Sequence, residues 1–427
     1  MIDMVQTQIS PSSTSAQEGK FSKEQLAWLD KAKAFANSVS LQEVIASDKE
    51  NVFRRDLFEK ACQPEWGLGG LPFPSTYGGS AGDYVSFSLV NEEFGRRCVP
   101  IMSSLGVHVL SQEPIYRFGN DEQKKKYLVP SSSGKMLAAF GLTEPNAGSD
   151  TAAIETTAKI DSNGDYLLNG TKTFITSGAS ADYYIVMARL LESTEQSACA
   201  ATEKSAAGEK PAASEKPAEA SKGKRPGQIT AFVVERNFSG FAIGQKFDML
   251  GMRGYSTCEI VFNDCLVPKA NLLGQHGEGR KVALSSLAKG RVTIAAQSIG
   301  WAQGALDACL ETLQKHYRDG AITADANGMA GKLGDLAVQI EAARVLTFQA
   351  ARLIDANEQS VTVAAMAKTM ASDVAMRVST EVMSILGMDG MKPELLIERI
   401  FRDAKAGQIY EGTNQIQRML IARDLLK

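Results

Sequence analysis

The stretch Gln408-Ile409-Tyr410-Glu411-Gly412-Thr413-Asn414-Gln415-Ile416-Gln417-Arg418 sets one carboxylate in a short turn that leads into an amphipathic helix. Flanked by Tyr and Gly, Glu411 can be held partly out of water. That raises the pKa of a carboxyl group and suits it to take a proton from carbon. An ordinary acid near a helix start, favoured there by the macrodipole, is the competing explanation. The rest of the chain decides between the two.

Upstream of this turn the apolar positions keep helical spacing through 282–313, 332–355, 361–386 and 395–404. The spacing predicts four long helices and an all-α final third. Further back, 156–160, 166–170, 183–188, 229–234 and 258–262 are short β-prone runs bounded by turn residues, which predicts a compact β domain. Helical periodicity returns over 23–39 and 84–94, with Gly and Pro punctuation between. The predicted organisation is a flexible N-terminus at 1–21, an α-helical domain at 22–136, a central β domain at 137–270 and a helical bundle at 271–427. One segment, 192–226, is rich in Ala, Glu, Lys, Ser and Pro and carries too little apolar surface to order itself. It lies between two β-prone runs, so we read it as a disordered loop grown out of a hairpin, with Pro211 and Pro217 opposing a helix.

Composition excludes several classes of function. With 427 residues and 44% hydrophobic content the chain can bury sizeable cores. A net charge of -3, from 46 basic and 49 acidic side chains, gives no basic field for nucleic acid. Six cysteines without CxxC spacing and three dispersed histidines suggest a reducing compartment and no structural metal. The N-terminus shows neither a secretory nor an arginine-rich transit pattern, and no apolar run reaches membrane-spanning length. A soluble, cytoplasmic protein is expected.

Two strips carry further chemistry. Phe140-Gly141-Leu142-Thr143-Glu144-Pro145-Asn146-Ala147-Gly148-Ser149-Asp150 is rich in small residues that let backbone amides and hydroxyls approach a planar or phosphorylated ligand. Thr173-Phe174-Ile175-Thr176-Ser177-Gly178 follows at a distance that lets the two flank one flat ring. A plain turn explains Pro145 and Gly148 equally well.

In order along the chain, Thr143-Glu144-Pro145-x-Ala147-Gly148-Ser149-Asp150, Gly170-x-Lys172-x-x-Ile175-Thr176-x-Gly178 and Ile409-Tyr410-Glu411-Gly412-Thr413 resemble the acyl-CoA dehydrogenase family. Tyr77-Gly78-Gly79, Gly251-Met252-Arg253-Gly254 and Arg402-Asp403-Ala404-Lys405 add to the likeness. The resemblance implies an α+β fold: an N-terminal α-helical domain, a central β-barrel or sandwich domain and a C-terminal four-helix bundle, with FAD between the last two. It implies that Phe140, Leu142 and Thr143 line the flavin and that Ser149 points to the diphosphate or the thioester. Phe174 and Thr176 would cover the other side, with Thr176 near flavin N5. Thr413 and Gln415 join the cofactor positions, as does Arg318 if an offset of two residues lets it stand in for a missing Arg; Gly412 joins the substrate positions, and Arg291 is either one of these or an ion-pair partner buried in the bundle. The implied reaction takes an acyl thioester to its trans-2-enoyl thioester. Glu411 removes the α proton, flavin N5 accepts hydride and an electron-transfer flavoprotein receives the electrons. Some relatives place the base immediately before an Arg matching Arg291, where this chain has Gly290.

The chain also departs from the family. His316-Tyr317-Arg318-Asp319-Gly320 stands where an Arg-x-x-Phe-Gly clamp holds the adenosine diphosphate half of FAD, and Met388-Asp389 replaces Gly-x in a second contact to it. These changes leave two expectations, a homotetramer with weaker FAD binding or a heteromer with a homologous subunit supplying the clamp. Ala288 replaces a common Asp near the pantetheine arm, so acyl-carrier-protein thioesters stand beside acyl-CoA as substrates. An oxidase using dioxygen and a low-turnover binding subunit are the alternative functions.

Overall fold

The computed structural model describes residues 20–191, 227–318 and 328–427, the side chains of 316–318 excepted. Ser22 opens α1 (Lys23–Asn37) with a reciprocal capping box to Gln25, and Ser40 does the same through Glu43 for α2 (Leu41–Glu50). Each box satisfies two backbone groups that a first turn leaves free. α3 (Arg55–Cys62), α4 (Tyr84–Arg96) and α5 (Met102–Phe118) complete the main helices of the first third. The helices expected over 23–39 and 84–94 are α1 and α4. α5 is buried along most of its length, so it carries no one-sided apolar stripe for a sequence pattern to catch.

The middle third is a mixed sheet of β1 (Ala138–Gly141), β2 (Thr157–Ile160), β3 (Tyr166–Ile175), β4 (Tyr183–Leu190), β5 (Gln228–Glu235), β6 (Phe241–Lys246), β7 (Cys258–Val267) and β8 (Leu272–Leu273). The order is β6-β7-β3-β2-β4-β5-β8, with β1 also paired to β4. Side chains alternate across a strand. Tyr184, Val186 and Ala188 of β4 therefore join the main core, while Tyr183, Ile185 and Met187 join a second cluster with Ile115, Val282 and Ala283 from the helices. β4 is thus buried on both faces and reads as a continuous apolar run. The expectation of disorder for 192–226 lies outside the described residues. Its flanks are antiparallel neighbours, with Leu190 opposite Gln228.

The last third holds α6 (Gly279–Arg318), α7 (Met329–Asp355), α8 (Val361–Leu386), α9 (Ile397–Gly407) and α10 (Asn414–Leu425). α6 is the axis of the molecule, packing on α8, α7 and α9 in its own domain and on α4 and α5 of the first. A Cβ on Gly300 would stand 2.1 Å from the Glu92 carbonyl oxygen, and one on Gly95 2.5 Å from that of Gln297. α4 and α6 therefore touch backbone to backbone, which only glycine permits. Asp355 of α7 accepts from the Tyr84 and Val85 N–H groups at 2.7 and 3.1 Å, stitching the start of α4 to the bundle. Among the described residues no helix is long and apolar enough to cross a membrane.

Candidate active site

One edge of β4 is shared end to end by two strands. β1 pairs there from Ala138 opposite Tyr183 to Gly141 opposite Val186, and β2 takes over at Thr157 opposite Arg189. The chain between β1 and β2 emerges from that fork. Glu144 and Ala147 exchange backbone hydrogen bonds of 3.1 Å around Pro145 and Asn146, so this part is a tight turn. Beyond it the chain opens outward: a Cβ on Gly148 would meet nothing within 4 Å, and Ser149 and Asp150 are exposed.

The Glu144 side chain turns inward. It accepts from the Thr156 N–H at 3.0 Å and from the Glu155 N–H, and it pairs with Lys172 Nζ at 2.6 Å, both side chains being buried. Burial opposes its ionisation, but Lys172 and the backbone donors outweigh that and hold its pKa below the usual carboxylate range. Lys172 Nζ also donates to the Leu142 carbonyl at 3.3 Å, and the Thr173 N–H donates to the Thr143 carbonyl at 2.9 Å. The two strips are therefore adjacent and tied by a buried ion pair.

β3 ends in a reversal with Phe174 at φ 56° and Ser177 at φ 60°. Left-handed backbone is uncommon for such residues and persists where neighbours enforce it. Here the Ser177 hydroxyl donates to Ser104 Oγ at 2.8 Å, and its N–H donates to the Tyr255 carbonyl. Phe174 is 55% exposed and stacks on Phe247 with centroids 4.7 Å apart. An aromatic plane held outward beside open, small-residue backbone fits the ring system of FAD. Phe140, Leu142, Thr143 and Thr176 are half-buried, Phe140 and Leu142 packing against the second core cluster.

The catalytic candidate lies one helical turn along α6. Leu142, Thr151 and Met187 line a small cavity with Ala283, Leu284 and Leu287 of α6. Three residues further, a Cβ on Gly290 would stand 2.8 Å from Glu411 Oε2, 3.1 Å from its Cδ and 3.2 Å from Leu110. The carboxylate rests on the bare backbone of Gly290, and any side chain there displaces it. Thr413, not Glu411, caps α10, its hydroxyl accepting from the Ile416 N–H at 3.3 Å. The helix-start explanation of Glu411 therefore leaves its position unaccounted for. Glu411 Oε2 is buried and has no hydrogen-bond partner among the described residues. Burial pushes the pKa of this carboxyl up to about 7, with the charges of Arg291 and Lys368 acting in the opposite direction. An acid tuned to that value can serve as a base at neutral pH.

Arg291 is buried, its Nε has no partner among the described residues, and its charge falls on Glu411. Gly412 lies beside Glu411 at φ 85°. Gln415 is exposed on the first turn of α10, and no described contact joins it or Thr413 to the two strips. The side chain of Arg318, like those of His316 and Tyr317, and the whole of Asp319 lie outside the described residues. Met388 is 80% exposed, as a residue on a shared surface can be. Asp389 pairs with Lys392 at 2.6 Å, which offsets the negative charge expected to oppose a phosphate there.

The sequence patterns did not mark Lys368, Asn414 and Gln417, which grip the Glu411 turn. A signal existed: Lys368 interrupts an otherwise apolar buried row of Ala364, Ala365, Ala367, Ala371 and Ala375 on α8. A lysine in such a row requires a buried partner.

The chain also matches known proteins over most of its length. The family descriptions "Acyl-CoA dehydrogenase, N-terminal domain", "middle domain" and "C-terminal domain" match residues 22–135, 139–220 and 277–426. An acyl-CoA dehydrogenase of Bacillus subtilis is 40% identical over 361 residues, covering 84% of this chain and 87% of that protein. The butyryl-CoA dehydrogenase of Megasphaera elsdenii superposes with a TM-score of 0.82 at 36% identity, covering 95% of this chain and 99% of the other. A chain from the structural study "Electron transferring flavoprotein of Acidaminococcus fermentans: Towards a mechanism of flavin-based electron bifurcation" reaches 0.84 at 37%, with the same coverages. Three domain matches in the order of the fold, with relatives matched over nearly their whole length, place this chain in the acyl-CoA dehydrogenase family.

Proposed function

We propose that this chain dehydrogenates a short acyl-CoA to its trans-2-enoyl thioester, with Glu411 as the base that removes the α proton. The observation that carries this reading is the buried, unpartnered Oε2 of Glu411 resting on Gly290, in a carboxyl group pushed up to about 7. When bound, FAD supplies the two-electron acceptor for the β hydrogen. Phe140, Leu142, Thr143, Phe174 and Thr176 would hold its ring system, and Ser149 the diphosphate side. Among the described residues no backbone carbonyl accepts the Glu411 N–H. It is free to donate to the thioester carbonyl as enolate character develops, which lowers the barrier to losing a weakly acidic α proton.

A short acyl group is supported by the likeness to a butyryl-CoA dehydrogenase and by a polar stop. Gln297 Nε2 donates to Asn91 Oδ1 at 3.0 Å, and the Tyr410 hydroxyl donates to Gln297 Oε1 at 3.3 Å. Gln297 lies two turns beyond Gly290 on α6, about 10 Å along the axis. It faces Gly106 of α5, whose Cβ would stand 3.0 Å from Gln297 Nε2. An acyl tail running from Glu411 along α6 meets this buried network. Gln297→Ala is therefore expected to raise the ratio of octanoyl-CoA to butyryl-CoA kcat/KM at least about tenfold, the scale of one or two methylenes in a pocket. An unchanged ratio would remove Gln297 from the pocket end.

An electron-transfer flavoprotein is the acceptor this reading assigns, supported by the family and by the Acidaminococcus likeness. The decisive experiment is the absorption spectrum of the purified chain, with and without FAD, followed by anaerobic butyryl-CoA. Stoichiometric flavin that bleaches on butyryl-CoA supports a self-sufficient homo-oligomeric dehydrogenase. Weakly held flavin restored by a second homologous chain supports a heteromer. Bleaching by butyryl-acyl-carrier protein alone would move the carrier assignment, and peroxide formed in air at the full turnover rate would make the enzyme an oxidase.

A further inference from the structure

The turn that carries Glu411 is held in an unfavourable backbone by a small set of side chains that includes one buried cation. Glu411 itself is left-handed at φ 53°, a region that L residues enter only when their surroundings fix it. The fixing groups come from α8 and α10. Lys368 Nζ donates to the Gly412 carbonyl at 2.9 Å and to Asn414 Oδ1 at 2.8 Å. Gln417 Nε2 donates to the Gly412 carbonyl at 2.9 Å and to the Glu411 carbonyl at 3.1 Å. Asn414 in turn donates to Ser372 Oγ at 2.9 Å and to Asp373 Oδ1 at 2.8 Å, both on α8.

Lys368 is fully buried, and its described hydrogen bonds go to a carbonyl and an amide oxygen, not to a carboxylate. A buried ammonium group without a hydrogen-bonded counter-ion is destabilising, and a neutral amide side chain could make the same two hydrogen bonds. Its charge is therefore the feature in need of an explanation. The nearest use for that charge is the carboxylate of the same turn.

We propose that Lys368 is a positioning residue for the base: its ammonium group locks the Gly412 carbonyl so that Glu411 stays left-handed with Oε2 over Gly290, and its charge favours the ionised carboxylate. The proposal rests on Glu411 being the base. Burial pushes the Glu411 carboxyl up, and Arg291 on α6 and Lys368 on α8 draw it back. Of the other charged or titratable groups around the turn, Tyr410 precedes Glu411, Asp373 follows Lys368 by five residues on α8, Arg418 lies on α10 and Asp403 on α9. Burial in turn pulls Lys368 down to about 8, with Glu411 and Asp373 opposing that shift.

Lys368→Met removes both donor and charge, whereas Lys368→Gln keeps a donor and removes only the charge. Both are purified as holoenzyme beside wild type and Glu411→Gln, and flavin content, kcat, KM and the pH profile of kcat/KM with butyryl-CoA are measured. We expect Lys368→Met to lower kcat at least tenfold with KM changed less than threefold, and to move the acid limb of the profile up by at least half a pH unit. Lys368→Gln is expected to recover part of kcat while keeping the displaced limb. A structural role alone would lower flavin content or stability and leave the limb in place. Wild-type kcat and limb in either flavin-loaded variant overturn the proposal, as does failure of both variants to retain flavin, which would place Lys368 in folding. If Glu411→Gln keeps its rate, the assignment of the base fails instead.

Discussion

Glu411→Gln is expected to lower kcat with butyryl-CoA at least about a hundredfold, the usual scale for a lost general base, while flavin content and its absorption spectrum stay those of wild type. The amide is nearly the same size, so it still fits against the bare backbone of Gly290 on α6. What it lacks is basicity. Stopped-flow reduction of the bound flavin isolates the chemical step from product release and is the measurement to make. A variant that reduces within threefold of wild type would show that another group takes the proton.

The pH dependence follows from the same geometry. Burial pushes the Glu411 carboxyl up to about 7, and only the ionised form is a base, so kcat/KM should rise about tenfold per unit as pH climbs toward that value. Stability runs the other way. A carboxyl whose pKa is raised in the folded state binds more protons there than in the unfolded chain, so its contribution is fully present below the ordinary 4.5. It is lost as pH rises from there through about 7. Glu411→Gln carries no such penalty and should unfold at a higher temperature than wild type at pH 8, with the difference shrinking toward pH 4.5. Activity and stability thus make opposite demands on one side chain, as expected where a site is strained for its task.

Much of this site was legible in the sequence because its chemistry depends on local patterns. The three-part division appears in the change from helical to alternating spacing, since β4 and its neighbours lie between amphipathic helices. Glu411 stands out because its turn precedes an amphipathic helix within a short motif. α5 escapes because burial on all sides erases periodicity. The partners of Glu411 escape for a different reason: Gly290, Lys368 and Gln417 come from separate places in the chain, and only the packing of α6, α8 and α10 around the turn brings them together. Glu144 and Lys172 each stand in a legible motif, yet nothing local announces their pairing across 28 positions of sequence.

That pair carries the second large expected effect. Lys172→Met leaves the Glu144 carboxylate 2% exposed and facing an apolar chain. Breaking one side of a buried ion pair costs about 3–5 kcal/mol, because the remaining charge is stranded, and this exceeds anything a surface pair contributes. Glu144 still accepts from the Glu155 and Thr156 N–H groups, so the loop keeps part of its shape. What it loses is the tie from Lys172 to Leu142, and with it the fixed spacing between the Thr143 and Thr173 strips. Urea unfolding should therefore show a large loss of stability, and flavin should dissociate at lower denaturant than in wild type. Glu144→Gln added to Lys172→Met removes the stranded charge while keeping an acceptor for the two N–H groups, so the double variant should be more stable than Lys172→Met alone. If the single variant loses less than about 1 kcal/mol, within the range of an exposed pair, the carboxylate has found water or a proton. In that case the two strips are held by the Thr173 to Thr143 backbone hydrogen bond instead.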